Sequence, residues 1–432
     1  MSARAMEGVD GVDGVGGIGG IDGELSAARL PRTFAELSAQ LNAGLALGGQ
    51  ICVLHDDGVV ADAGFGFARP GEPMRRDHLM LWMSSSKPVA AIAICQLWER
   101  GRLDLDDPVA LHIPEFARGG KSTVTIRHLL THTGGIRMLD TGWPAAGWDA
   151  IVARVSAQRL EPRWEPGRKA GYHLASSWFI LGELVRRLDG RPFETYVREE
   201  IFLPLGCTDC WIGMPIESYR SYGRRIAPMF DVASADHGVP ALKENSTTSE
   251  ERLVVPSPGG NGCGPIRELA QIYRMLAAHG AFGGHRFLQP QTVDALAARH
   301  RVGMIDLTFR AKLDWGLGVI VNSAHYGEAV VPYGYGAHAG PRTFGHSGAR
   351  SSTAFLDPEA GLVVALAVNG MAPDEVHRQR FERLTTAVYE DLGLAAPGTA
   401  TLEAGEPDAG EPDAESAARA PEAGASSASF LS

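Results

Sequence analysis

The sequence predicts an α+β fold: an antiparallel sheet built from the N- and C-terminal segments, covered by helices, with a mainly helical region inserted between them. Three observations predict it. Near the start, GGQICVLHDDGVVADAGFGFA alternates in polarity and turns at Asp56-Asp57-Gly58, which reads as a β-hairpin. Near the end, RTFGHSGARSSTAFLDPEAGLVVALAVNG reads as strand, turn at Asp357-Pro358, strand. Between them, residues 85–300 read mainly as helices. The chain has 432 residues, 44% of them hydrophobic, enough for a substantial core.

The elements follow in order. Residues 1–29 form a Gly- and Asp-rich N-terminus that is expected to stay unpacked, because it holds too little apolar surface to offset its ordering entropy. One folded unit is expected from 30 to 395, with a sheet subdomain in 30–100 and 300–395 and a mainly helical region in 101–299. VAAIAICQLWERG is a helix ending at Gly101. IRHLLTH, ASSWFILGELVRRLDG and IRELAQIYRMLAAHG are others. A final helix runs from about Asp374 to Leu392. Residues 396–432 repeat AGEPD at Ala404 and Ala409 and continue in Ala, Glu, Pro and Ser, an acidic tail expected to be disordered. A cleft is expected at the seam between sheet and helical region.

Charge and cysteines bound the function. Residues 1–24 carry five acids and one arginine, and 396–432 carry seven acids and one arginine. The rest is therefore left with −1 of the net −11. A near-neutral body gives no basic face for nucleic acid. No stretch has the ~18–20 apolar residues a membrane helix needs. The first residues lack a basic-then-apolar signal pattern, so a cytoplasmic protein is expected. The five cysteines (Cys52, Cys95, Cys207, Cys210, Cys263) are scattered and odd in number, which suits reduced thiols. Cys207 and Cys210 form one C-x-x-C with no second pair, read here as structural thiols in a loop.

The chemistry concentrates in MSSSKPVAA. Lysine is rare: Lys87, Lys121, Lys169, Lys243 and Lys312 are the five. Lys87 follows Ser84, Ser85 and Ser86 at the mouth of an apolar helix. Ser84 and Lys87 lie three apart and share a face of the first turn. The N–H of Ser84 has no helical partner and can meet a developing oxyanion, and Pro88 is tolerated that early. A half-buried lysine loses basicity and can relay a proton. S-x-x-K alone is equally a helix cap with a solvated lysine.

Further segments decide between these. LWMSSSKPVAA, RGRLDLDDPVALHIPEF, VTIRHLLTHTGGI, EPGRKAGYHLASSWFILGELVRRLDGRPFETYVREEIFLPLG, PSPGGNGCGPIRELAQIYRML and TFGHSGARSSTAFLDPEAGLVVALAVNG stand in that order. Together they resemble the serine β-lactamase and penicillin-binding-protein superfamily, in its class C-like branch with esterases and transacylases. The resemblance spans most of residues 30–395 and implies a β-lactamase/transpeptidase-like fold. It implies that Ser84 is the acylated nucleophile and Lys87 its partner. Tyr172 would be general base and proton donor, and His346 of GHSG would orient substrate or support Tyr172. The N–H groups of Ser84 and Ala349 would form the oxyanion hole. Ser347, Gly348, His173, Leu174 and Trp315 would line the cleft.

Two departures leave alternatives. The family reads Tyr-x-Asn where this chain has Tyr172-His173-Leu174, so the amide-binding asparagine is missing. Counting forward from Pro166-Gly167 selects Tyr172 as base. Counting back from Leu181-Gly182 selects His173, with Ala175 in the asparagine place. His132-Thr133-Gly134 and His338-Ala339-Gly340 repeat the H-x-G pattern, but only His346 leads into the Ala354–Asn369 strand pair. His132 reads as structural.

The resemblance implies an acyl-transfer enzyme with an acyl-Ser84 intermediate, an esterase or transacylase taking small-molecule acyl donors and acceptors. Secondary metabolism is one setting for such a reaction. The alternatives are a β-lactamase or D-amino peptidase, and a non-catalytic relative that binds a ligand in the cleft. No metal or organic cofactor is implied. Nucleic acid and membrane partners are not expected, and the sequence leaves oligomeric state open.

Overall fold

The computed structural model describes residues 21–233, 241–327 and 334–395, which all fall within one compact unit ending at Ala395. The acidic tail 396–432 and residues 1–20 lie outside the described residues. So does Tyr333, one of the aromatics of the VVPYGYG stretch expected to line the cleft.

An eight-stranded sheet dominates. Its strands are β1 (Gly48–His55), β2 (Gly58–Arg69), β3 (Glu72–Pro73), β4 (Asp314–Trp315), β5 (Ile320–Val321), β6 (Phe344–Gly348), β7 (Ser352–Asp357) and β8 (Leu362–Val368), in the spatial order β4-β5-β6-β7-β8-β1-β2-β3. Every pairing is antiparallel, and β1 joins the C-terminal strands through Cys52↔Ala365. The hairpin turn between β1 and β2 puts Asp56 at φ 46° and Asp57 at φ 66°, as a twist-matched two-residue turn requires.

The sheet is buried on both faces, which explains the unbroken apolar run of β8. Side chains alternate along a strand. Ile51, Val53, Val364 and Leu366 enter one core with Phe34, Phe381, Leu384 and Val388. Cys52, Leu54, Ala365 and Ala367 enter the other with Ile92, Leu181 and Ile272. The first core is closed by helices α1 (Ile21–Arg29), α2 (Pro31–Asn42) and α6 (Asp374–Asp391). The second is closed by α3 (Lys87–Glu99), α4 (Ser176–Asp189) and α5 (Ile266–Ala277).

Two expectations need correction. Residues 21–29, expected to stay unpacked with the rest of 1–29, form α1. Ser26 is buried there, its Oγ accepting from Asp62 N, while Arg29 donates to the Val59 carbonyl. The Gly-rich composition ends before this segment, which carries helix formers and a face that fits β2. The Asp391 carboxylate then accepts from Arg32 N and Thr33 N (3.0 and 2.9 Å), so the last helix caps the second. The 101–299 region is mainly helical, as expected, and also holds short strands, among them Trp211–Ile212 and Gly262–Gly264. These pair with Met80–Met83 into a separate three-stranded sheet. The last segment turns twice, not once: β6, β7 and β8 replace the single strand pair.

Candidate active site

The strand Met80–Met83 leads directly into Ser84, in the short turn that precedes α3. Met83 has φ 49° and ψ −133°, a costly conformation for a residue with a side chain. The neighbours hold it there. Trp82 Nε1 donates to Gly264 O (3.0 Å), and Ser352 Oγ donates to Trp82 O (2.7 Å). Ser86 Oγ bonds Met83 O (2.5 Å) and accepts from Gly262 N (2.8 Å). Ser85 Oγ donates to His346 O (3.1 Å). The three serines thus have separate tasks. Ser85 ties the turn to β6, Ser86 ties it to the Gly262–Gly264 strand, and Ser84 is left to face Lys87.

Lys87 Nζ lies 2.9 Å from Ser84 Oγ, 3.1 Å from Leu174 O and 2.7 Å from Gly259 O. The side chain is fully buried. Burial pushes the amine well below its ordinary range. The Tyr172 and Trp178 rings, 5.0 and 5.5 Å away, pull the other way. Such contacts favour an ammonium by about 1–2 kcal/mol. Burial is the larger effect, and it lowers the amine's basicity. A neutral amine has two N–H donors and one lone pair. With the two carbonyls accepting from Nζ, the lone pair of the neutral amine would face the Ser84 hydroxyl.

Tyr172 is buried with its ring 4.6 Å from His132, 4.9 Å from Phe309, 5.8 Å from Trp315 and 6.0 Å from His346, centroid to centroid. His173, the alternative base, turns elsewhere: its Nε2 accepts from Ile136 N (3.4 Å) and its ring packs against His132. Burial, with nearby cationic groups, lowers it to about 3. Leu174, in the place of the missing asparagine, contributes its main-chain carbonyl to Lys87 while its side chain stays partly exposed.

His346 sits on β6 opposite Ala354. Its Nδ1 donates to Ser347 O (2.8 Å), which leaves Nε2 as the lone-pair nitrogen. That atom is buried and meets no hydrogen-bonding partner. Burial, chiefly, lowers the imidazole to about 3, so it is neutral. Ser347 Oγ pairs with Thr353 Oγ1 (2.9 Å) across the strands, so this hydroxyl is occupied within the sheet. Gly348 is a point of close approach: a Cβ there would lie 2.3 Å from Trp82 O and 2.8 Å from Met83 Cβ. That closeness packs the end of β6, just before Ala349, against Trp82 and Met83, just before Ser84.

Trp315 is fully buried, so it forms the floor beneath Tyr172 and His346, 5.8 and 5.6 Å from their rings, and not an open wall of the cleft. Of the rival H-x-G histidines, His338 lies against Glu390 and Tyr389 of α6, away from Ser84. His132 was expected to be structural only; the structure seats it against Tyr172, His173 and Trp315. Sequence reasoning missed Gly259, whose carbonyl fixes Lys87, and Asp306, which accepts from Tyr172 N (3.1 Å). Neither carries a motif.

Among the described residues, one group could present metal donors: Cys207, Cys210 and Glu268, all buried, with donor atoms within 4.8 Å of one another. This is one donor short of a closed tetrahedral zinc site. Cys210 Sγ already lies 3.1 Å from Glu268 Oε2 and Cys207 Sγ 3.4 Å from Glu268 O, as in a pair of protonated structural thiols. Burial raises both Cys210 and Glu268. No helix of the described residues is long and apolar enough to cross a membrane.

An S-x-x-K pair at the seam of an antiparallel sheet and a helical region defines a class: serine acyl-transfer enzymes of the β-lactamase and penicillin-binding-protein fold. The chain belongs to the Beta-lactamase family, whose profile matches residues 32–388. It is 27% identical over 346 residues to the esterase/beta-lactamase LipL of Mycobacterium tuberculosis, a match covering 74% of this chain and 77% of that one. Among solved structures it superposes on a family VIII carboxylesterase with a TM-score of 0.68 at 28% identity, covering 84% of this chain and 97% of that one. A penicillin-binding-protein homologue from Caulobacter crescentus gives a TM-score of 0.67 at 29% identity, covering 84% and 97%.

Proposed function

We propose that this protein is an esterase or transacylase that works through an acyl-Ser84 intermediate. The observation that carries the reading is the 2.9 Å contact between Ser84 Oγ and Lys87 Nζ, in which the buried amine directs its remaining hydrogens to two carbonyls. In the first step, Ser84 Oγ attacks the acyl carbon as its proton passes to Lys87 Nζ. The Ser84 and Ala349 N–H groups hold the oxyanion. The bond from carbon to the leaving oxygen then breaks, and Tyr172 passes the proton from Lys87 to the departing alkoxide. In the second step, water or an alcohol or amine attacks acyl-Ser84, gives up its proton along the same route, and restores the serine hydroxyl.

Two features favour esters over β-lactams and peptides. Leu174 offers no side-chain amide partner, and neutral His346 offers no cation to a substrate carboxylate. Hydrolysis of β-lactams or D-amino peptides is the second reading, favoured by the penicillin-binding-protein homologue among the structural neighbours. A cytoplasmic setting belongs to the same proposal, on the strength of five free, buried thiols.

Intact-protein mass after brief exposure to short p-nitrophenyl esters, an acyl thioester and a penicillin tests the reading, with Ser84→Ala alongside. An ester or thioester adduct on the wild type alone supports it. Added amines or alcohols then separate transfer from hydrolysis. A penicillin adduct without an ester adduct moves the assignment to the second reading. An adduct that survives in Ser84→Ala removes Ser84 as nucleophile.

A further inference from the structure

The segment that carries Tyr172 is gripped in an unusual way. Three consecutive N–H groups are held by only two residues. His132 O accepts from Gly171 N (3.0 Å), Asp306 Oδ1 from Tyr172 N (3.1 Å), and His132 Nδ1 from His173 N (2.9 Å). His132 thus brackets Tyr172 on both sides, and its ring lies 4.6 Å from the Tyr172 ring. To do so it takes φ 58°, a left-handed conformation that costs a histidine energy.

The two holders are themselves tied together. Arg301 donates to Asp306 Oδ2 (3.0 Å) and to Thr131 O (3.2 Å), next to His132. Asp306 Oδ1 also takes Thr308 N and Phe309 N, and Thr308 Oγ1 donates to Tyr172 O (3.1 Å). His132, Asp306 and Arg301 are all buried, at 0%, 0% and 2% exposure. Because His132 Nδ1 accepts a main-chain N–H, the ring must be neutral with its proton on Nε2.

We propose that His132 and Asp306 are positioning residues that fix the Tyr172 phenol against Lys87, braced by Arg301. The inference rests on the reading of Tyr172 as the proton-transfer group. Misplacing a reacting group by about 1 Å costs on the order of 10²-fold in rate. His132→Leu removes the acceptor for His173 N and is expected to lower the acylation rate per titrated site about 30- to 100-fold, with KM within about twofold. His132→Asn is the rescue variant. Its Oδ1 falls near the place of Nδ1, and asparagine tolerates positive φ.

The test is a double-mutant cycle with Tyr172→Phe, measuring acylation of active-site-titrated enzyme by p-nitrophenyl acetate. If His132 acts through Tyr172, His132→Leu costs less than about threefold in the Tyr172→Phe background, and His132→Asn recovers to within about fivefold of wild type. An equal loss in both backgrounds, or an Asn variant as damaged as the Leu variant, overturns the inference. If His132→Leu does not fold, Asp306→Asn is run through the same cycle: it keeps an acceptor for Tyr172 N but loses the ion pair to Arg301. It is expected to cost about tenfold in wild type and nothing in Tyr172→Phe. An equal cost in both overturns the inference in the same way. The underlying reading fails separately: Tyr172→Phe with wild-type acylation removes Tyr172 from the chemistry, and this inference with it.

Discussion

Gly348→Ala isolates the geometry of the oxyanion side of the site. The added methyl would lie 2.3 Å from Trp82 O, 2.3 Å from Ser352 Oγ and 2.8 Å from Met83 Cβ. Real carbon–oxygen contacts stay above about 3 Å, so the end of β6 must retreat from the Met80–Met83 strand by about 0.7 Å or more. Ser352 Oγ can rotate, but Trp82 O is main chain in a buried strand and cannot. The retreat carries the Ala349 N–H with it. Loss of one oxyanion donor costs about 10²–10³-fold, and a partial displacement should reach about 10²-fold in kcat/KM for p-nitrophenyl acetate. Overpacking should also cost about 1–3 kcal/mol of stability. Gly147→Ala is the control, because its φ is −70° and no atom lies within 4 Å of the new methyl. If Gly348→Ala keeps kcat/KM within threefold of wild type while folding normally, the Ala349 N–H has no part in stabilising the oxyanion.

Other outcomes follow from the same structure. Lys87→Arg should be as inactive in acylation as Lys87→Met, both down about 10³-fold in the mass assay, because a guanidinium cannot take the Ser84 proton. The lowered basicity of Lys87 also gives the wild-type acylation rate an acid limb, falling as pH drops through the amine's depressed pKa, and a limb of this origin is absent from the residual activity of Lys87→Met. His173 and His346 are lowered to about 3, and His132 and His377 well below their ordinary value, all chiefly by burial. Folded-state values below the unfolded ones mean that the unfolded chain binds more protons. Stability should therefore fall as pH drops from about 6.5 towards 4, with uptake of at least about four protons on unfolding, read from the pH dependence of denaturant midpoints. Lys121→Met should lower stability by about 2–4 kcal/mol with kcat per titrated site unchanged, because the buried amine donates to the carbonyls of Arg118, Ser156 and Gln158, none of which shares a hydrogen bond with Ser84 or Lys87.

Much of the site was legible in the residues themselves. Ser84 and Lys87 are local partners, three apart at a helix start, so their contact follows from helical geometry alone. The hairpin at Asp56-Asp57 and the helix from Asp374 are equally local, set by turn chemistry and periodicity. Register along the Tyr172-His173 stretch was not, because a loop has no period and two counts gave two answers. The structure turns the Tyr172 ring to Lys87 and the His173 ring to Ile136 N.

What the sequence by itself determined was the set of candidate reactive groups and the strands and helices that carry them, since these depend on neighbours a few residues apart. Only the tertiary structure decided the protonation and placement of those groups. Lys87 loses basicity because the fold buries it completely, while the carbonyls of Leu174 and of Gly259, 172 positions away, accept from its Nζ and fix its place. His346 is neutral because the two cores close around β6. His132 belongs to the site because Gly171 and His173 fold back onto it. Desolvation and main-chain hydrogen bonding depend on what surrounds a group in space, and no spacing along the chain encodes that.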